Sequence, residues 1–415
     1  MSDDLKPRDG KDVEAAVQWA LAQGKALEIV GQSTKRAIGR PSQTDLTLDL
    51  SGLTGVTLYE PEELVLSARA GTPIAKIEAL VASRGQQLAF EPMDYGAILG
   101  AAAGGGTIGG VLAANLSGPR RIKAGAARDH FLGVTAISGR GEAFKSGGRV
   151  VKNVTGYDLC KLLAGSWGTL AVMTEVTLKT LPRPETEETV LVHGLDPARA
   201  TEAMARAMGS SCDVSGAAHL PADVAAQIPA GEIAGAGGAV TALRLEGVAP
   251  SVAHRKQALQ ALLKVLGDVA TVDEGASRAL WRAVRDVTPF ARSTSLLQGE
   301  VKKDERPLWR ISTAPSRGAE LAAMIANEAD VQALYDWAGG LIWLALAPSD
   351  DAAHVRRAVA TYGGHATLVR APAAVRAAID VFEPQDAALS ALTRRVKEGF
   401  DPKGVLNPGR MWAGV

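Results

Sequence analysis

Cysteine is nearly absent, with Cys160 and Cys212 the only two in 415 residues. Far apart and without metal-ligand spacing, they exclude a disulfide scaffold, fit a reducing compartment and argue against iron-sulfur ligation by this chain alone. Histidine is scarce too: six are scattered along the chain, and they make no cluster of the kind that holds a divalent metal. Net charge of either sign is missing, because 45 basic side chains balance 45 acidic ones. No global field would therefore recruit nucleic acid or an anionic membrane surface. At the start, Met1-Ser2-Asp3-Asp4-Leu5-Lys6 places acids where an export signal needs bases, and no apolar run follows. A cytoplasmic chain is the expectation.

Charge is also missing locally, from Tyr95 to Pro119, a stretch long enough to cross a bilayer. Gly100, Gly104, Gly105, Gly106, Gly109 and Gly110 argue against a span, since each weakens a helix by about 1 kcal/mol relative to alanine. What remains is ordinary globular composition, 47% hydrophobic and 22% charged, in a length that suggests two or three domains.

Residues 13–23 carry apolar side chains at helical spacing, 26–30 read as a short buried strand and 46–50 alternate as a half-exposed one. Residues 64–70 form another strand, and Pro73 opens a helix over 74–83. Beyond the glycine-rich stretch, 133–137 and 171–178 alternate as strands. At Leu181-Pro182-Arg183-Pro184, followed by Glu185, Glu187 and Glu188, the chain becomes a polar joint. Amphipathic helices such as 252–266 then interleave with short strands such as 341–345, which suggests an α+β cap. Residues 400–410 are turn chemistry and are expected to pack back on the first domain. The limits expected are 1–183, 184–390 and 391–415.

Three stretches carry chemistry. Gly31-Gln32-Ser33-Thr34-Lys35-Arg36, with Gly39, follows the strand that ends at Val30; bare amides, two hydroxyls and a cation there suit a pyrophosphate, although a plain glycine turn fits equally well. That loop matches neither GxxxxGK[ST] nor GxGxxG, which makes P-loop and Rossmann readings of it weak. The run from Gly104 to Asn115 leaves main chain bare for a large ligand, and its interleaved Ile108, Val111 and Leu112 are unlike a flexible linker. A third run, Arg149 to Leu159, leads into Gly165-Ser166-Trp167-Gly168-Thr169 and the strand after it; a helix over 157–163 is expected to stop at Gly165.

Together with the terminal Asp401-Pro402-Lys403-Gly404-Val405-Leu406-Asn407-Pro408-Gly409, these stretches resemble, in order and spacing, the vanillyl-alcohol oxidase/p-cresol methylhydroxylase flavoproteins. Gly118-Pro119-Arg120-Arg121, Leu308-Trp309-Arg310-Ile311-Ser312 and Gly363-Gly364-His365 are similar, within that family, to the E subunits of bacterial glycolate oxidase. The resemblance implies an α+β fold, with a two-subdomain PCMH-type FAD-binding domain and a cap. It implies FAD held by Gly31, Gln32, Ser33, Thr34, Lys35, Gly39, Pro92, Gly105, Gly106, Thr107, Gly109, Gly110, Ala114, Ser117, Gly118, Val150, Lys152, Ala171, Val172 and Asn407. No His, Cys or Tyr stands at an attachment position there, so noncovalent FAD is expected.

Oxidation of a 2-hydroxy acid needs a base for the hydroxyl proton and a cation for the carboxylate. His365 is the candidate base, with a structural loop histidine as the alternative. Arg310 is the candidate carboxylate clamp, or else a packing residue. Arg120, Arg121 and Lys123 read most simply as a solvated face. The resemblance further implies a homologous flavoprotein subunit and an iron-sulfur subunit as partners, a small 2-hydroxy acid as substrate, and at most peripheral membrane association through those partners. Two functions stay open: catalytic oxidation of glycolate or a similar acid, and a flavin-bearing electron-transfer or assembly role beside a separate catalytic subunit.

Overall fold

The structure is a computed structural model that describes residues 4–41, 43–149, 156–291, 306–347 and 352–415. It opens with the helix Gly10–Gln23, which forms because Asp9 accepts from the amides of Lys11 and Asp12 and because Val13, Val17 and Ala20 line one face. Gly24 ends it in the left-handed region at φ 60°. The buried face packs on a three-stranded parallel sheet in which Leu46–Asp49 lies between Asp4–Leu5 and Leu27–Val30. A five-stranded antiparallel sheet follows, in the order Val56–Glu60, Val65–Arg69, Ala171–Lys179, Phe131–Ser138, Ala143–Gly147. These two small sheets are the two halves of the first unit.

The charge-free stretch forms two short helices, Gly96–Leu99 and Ile108–Ala114. Among the described residues no helix is long and apolar enough to cross a membrane. Leu181–Pro182 pairs with Gln86–Gln87, so the polar joint is pinned to the first unit before the chain moves on.

From Thr186 onward the strands build one eight-stranded antiparallel sheet that ends, in spatial order, with Val331–Asp336, Leu341–Leu346, Leu308–Ser312 and His365–Arg370. Alternation splits its side chains between two faces. Trp309, Ile311, Ile342 and Leu344 pack in a cluster with residues of the helices Gly318–Ala326 and Ala352–Tyr362. Leu308, Leu334, Leu341 and Trp343 join a cluster that includes Tyr95, Ile98 and Phe90 of the first unit. The sheet face that looks at the first unit is the one that carries Arg310, which stands opposite Trp343.

The chain returns through the helix Ala387–Phe400. Its Lys397 is buried and donates to Thr169 O at 2.7 Å, Asp401 Oδ2 at 2.8 Å and Leu406 O at 2.9 Å. Leu406 then bridges Leu27 in parallel, and the Asn407 amide donates to Leu27 O at 3.0 Å. The tail thus docks on the strand that leads into Gly31.

Candidate functional site

The two glycine patches meet. A Cβ at Gly31 would stand 2.6 Å from Thr107 Oγ1, and one at Gly105 would stand 2.9 Å from Thr34 Cγ2. Such an approach needs bare main chain. Thr107 orders its side of the contact by accepting the Gly110 amide at 3.3 Å as the cap of its helix. Between the patches opens a cleft lined by both of them.

Gly31, Gln32, Ser33, Thr34, Lys35, Thr107, Gly109, Gly110 and Ala171 line that cleft. Gly105 and Gly106 adjoin it, beside Thr34 and the Lys35 ammonium. Other expected residues stand behind the lining. Gly39 accepts from Arg376 Nη1 at 2.8 Å, Ser117 Oγ accepts the Ala127 amide at 2.9 Å, and Val172 lies in the core with Leu27 and Leu48. Pro92 is buried, Ala114 half-buried, and Gly118 packs on Glu91. Asn407 spends both polar ends of its side chain on main chain, at Ile29 and Trp167. Val150 and Lys152 lie outside the described residues.

The cleft wants an anion. Burial, against the pull of Asp94 and with Arg410 adding to it, lowers the Lys35 ammonium to about 8. Arg410, to which sequence reasoning assigned no role, lines the same cleft and donates to Lys35 O at 2.9 Å. Its Nε is buried with no acceptor, and its contact with Glu28 is long at 3.9 Å. Two enclosed cations, bare amides and hydroxyls fit the pyrophosphate of a dinucleotide. Trp167, Met173 and Ala113 supply apolar wall.

A second constellation lies on the cap. His365 is not in a loop but begins a strand, after Gly363 and Gly364 at φ 79° and 116°. Arg310 pairs with Thr367 and Ser312 with His365, so Arg310 and His365 project from one face. His365 is exposed, yet the protein packed around it pushes its pKa below the ordinary imidazole value, with Arg310 and Arg121 adding to the shift and Glu383 opposing it. Neither residue is among those that line the cleft between the glycine patches. Trp337 connects the two places: its Nε1 donates to Gly118 O at 3.0 Å, and Arg310 Cζ lies 5.0 Å from its ring centroid. Arg121 Cζ lies over the same ring at 4.5 Å.

The arginine knot is not a solvated face. Arg120 is largely buried; its Nη1 is 2.9 Å from Glu91 Oε1 and its Nη2 donates to Glu246 Oε1 at 2.6 Å. Fully buried Arg244 grips the same Glu91 with two bonds, at 2.9 and 3.0 Å. The acids that complete this network lie far away in sequence, which is why the run Arg120-Arg121 read as surface. Lys123 alone of the three is exposed, paired with Asp213.

Comparison with known proteins agrees with this geometry. The family model for the FAD binding domain matches residues 4–147, and that for the C-terminal domain of FAD linked oxidases matches 381–411. Glycolate oxidase subunit GlcE of Escherichia coli (strain K12) is 34% identical over 96% of this chain and 95% of its own length. Glycolate oxidase subunit GlcD of Bacillus subtilis (strain 168) is 26% identical over 90% of this chain and 80% of its own. A 4-ethylphenol oxidase from Gulosibacter chungangensis superposes with a TM-score of 0.72 over 99% of this chain and 89% of the other; at 14% identity it speaks for the fold alone. Identity of this extent, on a cleft built for a dinucleotide, shows that the chain belongs to the FAD-linked oxidoreductase family that includes glycolate oxidase subunit GlcE, with FAD as its cofactor.

Proposed function

We propose that this chain is the FAD-binding subunit of a glycolate oxidase complex, that it oxidises glycolate or a related short 2-hydroxy acid to the 2-oxo acid, and that it passes the electrons onward. The observation that carries the reading is the shared face of His365 and Arg310, directed toward the unit that holds the FAD cleft. Flavin, when bound, supplies the hydride acceptor.

The chain's own residues do the rest. Lys35 and Arg410 hold the pyrophosphate, and the Gly31 and Gly105 main chains let it approach. Arg310 binds the substrate carboxylate through its planar fork. His365, whose pKa is lowered from the ordinary imidazole value, takes the hydroxyl proton on a ring nitrogen. The FAD is noncovalent; among the described residues, no His, Cys or Tyr lines the cleft.

A flavoprotein subunit and an iron-sulfur subunit complete the assembly, which sits in the cytoplasm or peripherally on the membrane's inner face. Domain limits at 1–183, 184–390 and 391–415 complete the proposal; the cap sheet beginning at Thr186 supports the first, whereas 390 falls inside the helix Ala387–Phe400. Stopped-flow mixing of the purified, FAD-loaded chain with glycolate tests the reading. Flavin bleaching with no partner present supports it, while an unchanged flavin assigns the chemistry to the partner and leaves this chain as a relay.

A further inference from the structure

Among the described residues, several buried or half-buried arginines have acceptors for their guanidinium. Arg120 and Arg244 share Glu91 and Glu246, Arg356 bonds Glu383, and Arg255 donates to Glu246 O at 2.7 Å. Arg121 and Arg310 differ. Both are half-buried, and among the described residues neither guanidinium makes a hydrogen bond or an ion pair. Their acidic or phenolic neighbours act only at longer range: Asp129 on Arg121, Tyr95 and Asp336 on Arg310.

Two like charges enclosed without a counter-charge repel each other and lose hydration, so a fold that keeps them together leaves their charge available to a ligand. What holds them is the Trp337 indole, with both guanidinium carbons within 5.0 Å of its centroid. A carboxylate in that place would neutralise them. An aromatic face orients a guanidinium and leaves its positive charge and its donors free. Both the main chain and the indole of Trp337 are held in place. Trp337 and Ala338 both stand in the left-handed region at φ 51° and 58°, the Trp337 amide donates to Asp336 Oδ1 at 2.7 Å, and Nε1 donates to Gly118 O at 3.0 Å. Consecutive non-glycine residues in that region are strained, and strain of this kind persists where the surroundings impose it, commonly at ligand sites.

We propose that Arg121 is the second arm of an anion site spanning the two units, that it and Arg310 hold the substrate carboxylate between them, and that Trp337 is the positioning residue for both arms. Arg121 comes from the segment directly after Gly118 in the first unit and Arg310 from the cap sheet, so the anion bridges the seam beside His365. The identity of the anion rests on the oxidation reading above; the existence of the site does not.

Oxalate is a suitable probe because it offers carboxylates and has no C–H bond to oxidise. Titration of the FAD-loaded chain, followed by the shift in flavin absorption, gives its Kd. Arg121→Gln and Trp337→Leu are each expected to weaken oxalate at least about tenfold, whereas Trp337→Phe, which keeps an aromatic face, stays within about threefold. FAD content of all three variants, and the melting temperature of Arg121→Gln, should match the unsubstituted chain, while both Trp337 variants melt lower because they lose the buried Nε1 bond to Gly118 O. The site is overturned if the unsubstituted chain does not bind oxalate, if Arg121→Gln binds it equally well, or if its FAD content and melting temperature fall with its oxalate affinity. Equal losses in Trp337→Phe and Trp337→Leu overturn the role of the indole face. If oxalate binding needs Arg121 but glycolate leaves the flavin unchanged, the anion site stands and the oxidation reading fails. If glycolate bleaches the flavin of Arg121→Gln with unaltered concentration dependence, oxidation stands and this site falls.

Discussion

Asn407 clasps Trp167: its Nδ2 donates to the Trp167 carbonyl oxygen at 2.8 Å while its Oδ1 accepts the Ile29 amide at 2.9 Å. The residue is 1% exposed. One side chain from the tail therefore ties the strand before Gly31 to the turn that carries Gly168, two walls of the FAD cleft. Asn407 stands at φ 43°, a conformation asparagine tolerates better than most residues. Asn407→Ala would leave a buried N–H and a buried C=O without partners, at an expected cost of about 2–4 kcal/mol. Urea unfolding measures it, and a loss under about 0.5 kcal/mol would mean that water substitutes freely for the amide.

Gly105 offers a second test of the cleft. Because a Cβ there would stand 2.9 Å from Thr34 Cγ2, Gly105→Val should push the Gly31 loop outward and abolish FAD retention. The offending atom is a single methyl, which Thr34→Ser deletes. Gly105→Ala alone should purify with depleted flavin, and Gly105→Ala with Thr34→Ser should recover it. The absorbance ratio of flavin to protein reads both. Full loading of Gly105→Val would show that this segment does not face the cofactor.

Local rules carried the reading of the sequence a long way. Strands at 27–30, 65–69 and 171–179 and the helices at 10–23 and 74–82 were legible because period and punctuation are local properties. The α+β class and FAD followed from glycine patches whose spacing resembles a known family. What stayed hidden depends on partners distant in the chain. Glu91 reads as one acid among many until Arg120 and Arg244 close on it, and Trp337 reads as core until two guanidinia are found over its ring. His365 read as a loop residue because Gly363 and Gly364 break any local pattern, yet pairing with Ser312 draws it into a sheet. Cross-strand register is set by tertiary packing, and no window of sequence contains it.

Lys35 makes FAD affinity depend on pH. In the free cleft its ammonium titrates at about 8, lowered chiefly by burial. Phosphate charges beside it favour the ammonium, so the bound form holds its proton to higher pH. Affinity is accordingly full below pH 8 and declines as pH rises past that value, by at most about tenfold per pH unit. Lys35→Gln should bind FAD more weakly at neutral pH and lose this dependence. Fluorescence titration of the apo-protein across that range measures both, and a parallel decline in Lys35→Gln would assign the titration to another group.

Acid should loosen the seam between the units. Arg244 and Arg120 hold Glu246 down at about 2, from an ordinary 4.5, and lower Glu91 as well, in both cases against the opposing effect of burial. A folded pKa below the unfolded one gives stability that is present above pH 4.5 and is lost as pH falls toward the folded value. Glu187 works in the opposite direction, since burial raises its carboxyl, and it softens the slope without reversing it. At neutral pH, Glu246→Gln removes one acid from a buried charge network and is expected to cost about 3–5 kcal/mol. It should also flatten the fall in stability below pH 4.5, because Glu246 no longer takes up a proton there. Urea midpoints of both proteins through the acid range decide the matter; identical slopes would place the acid sensitivity elsewhere in the molecule.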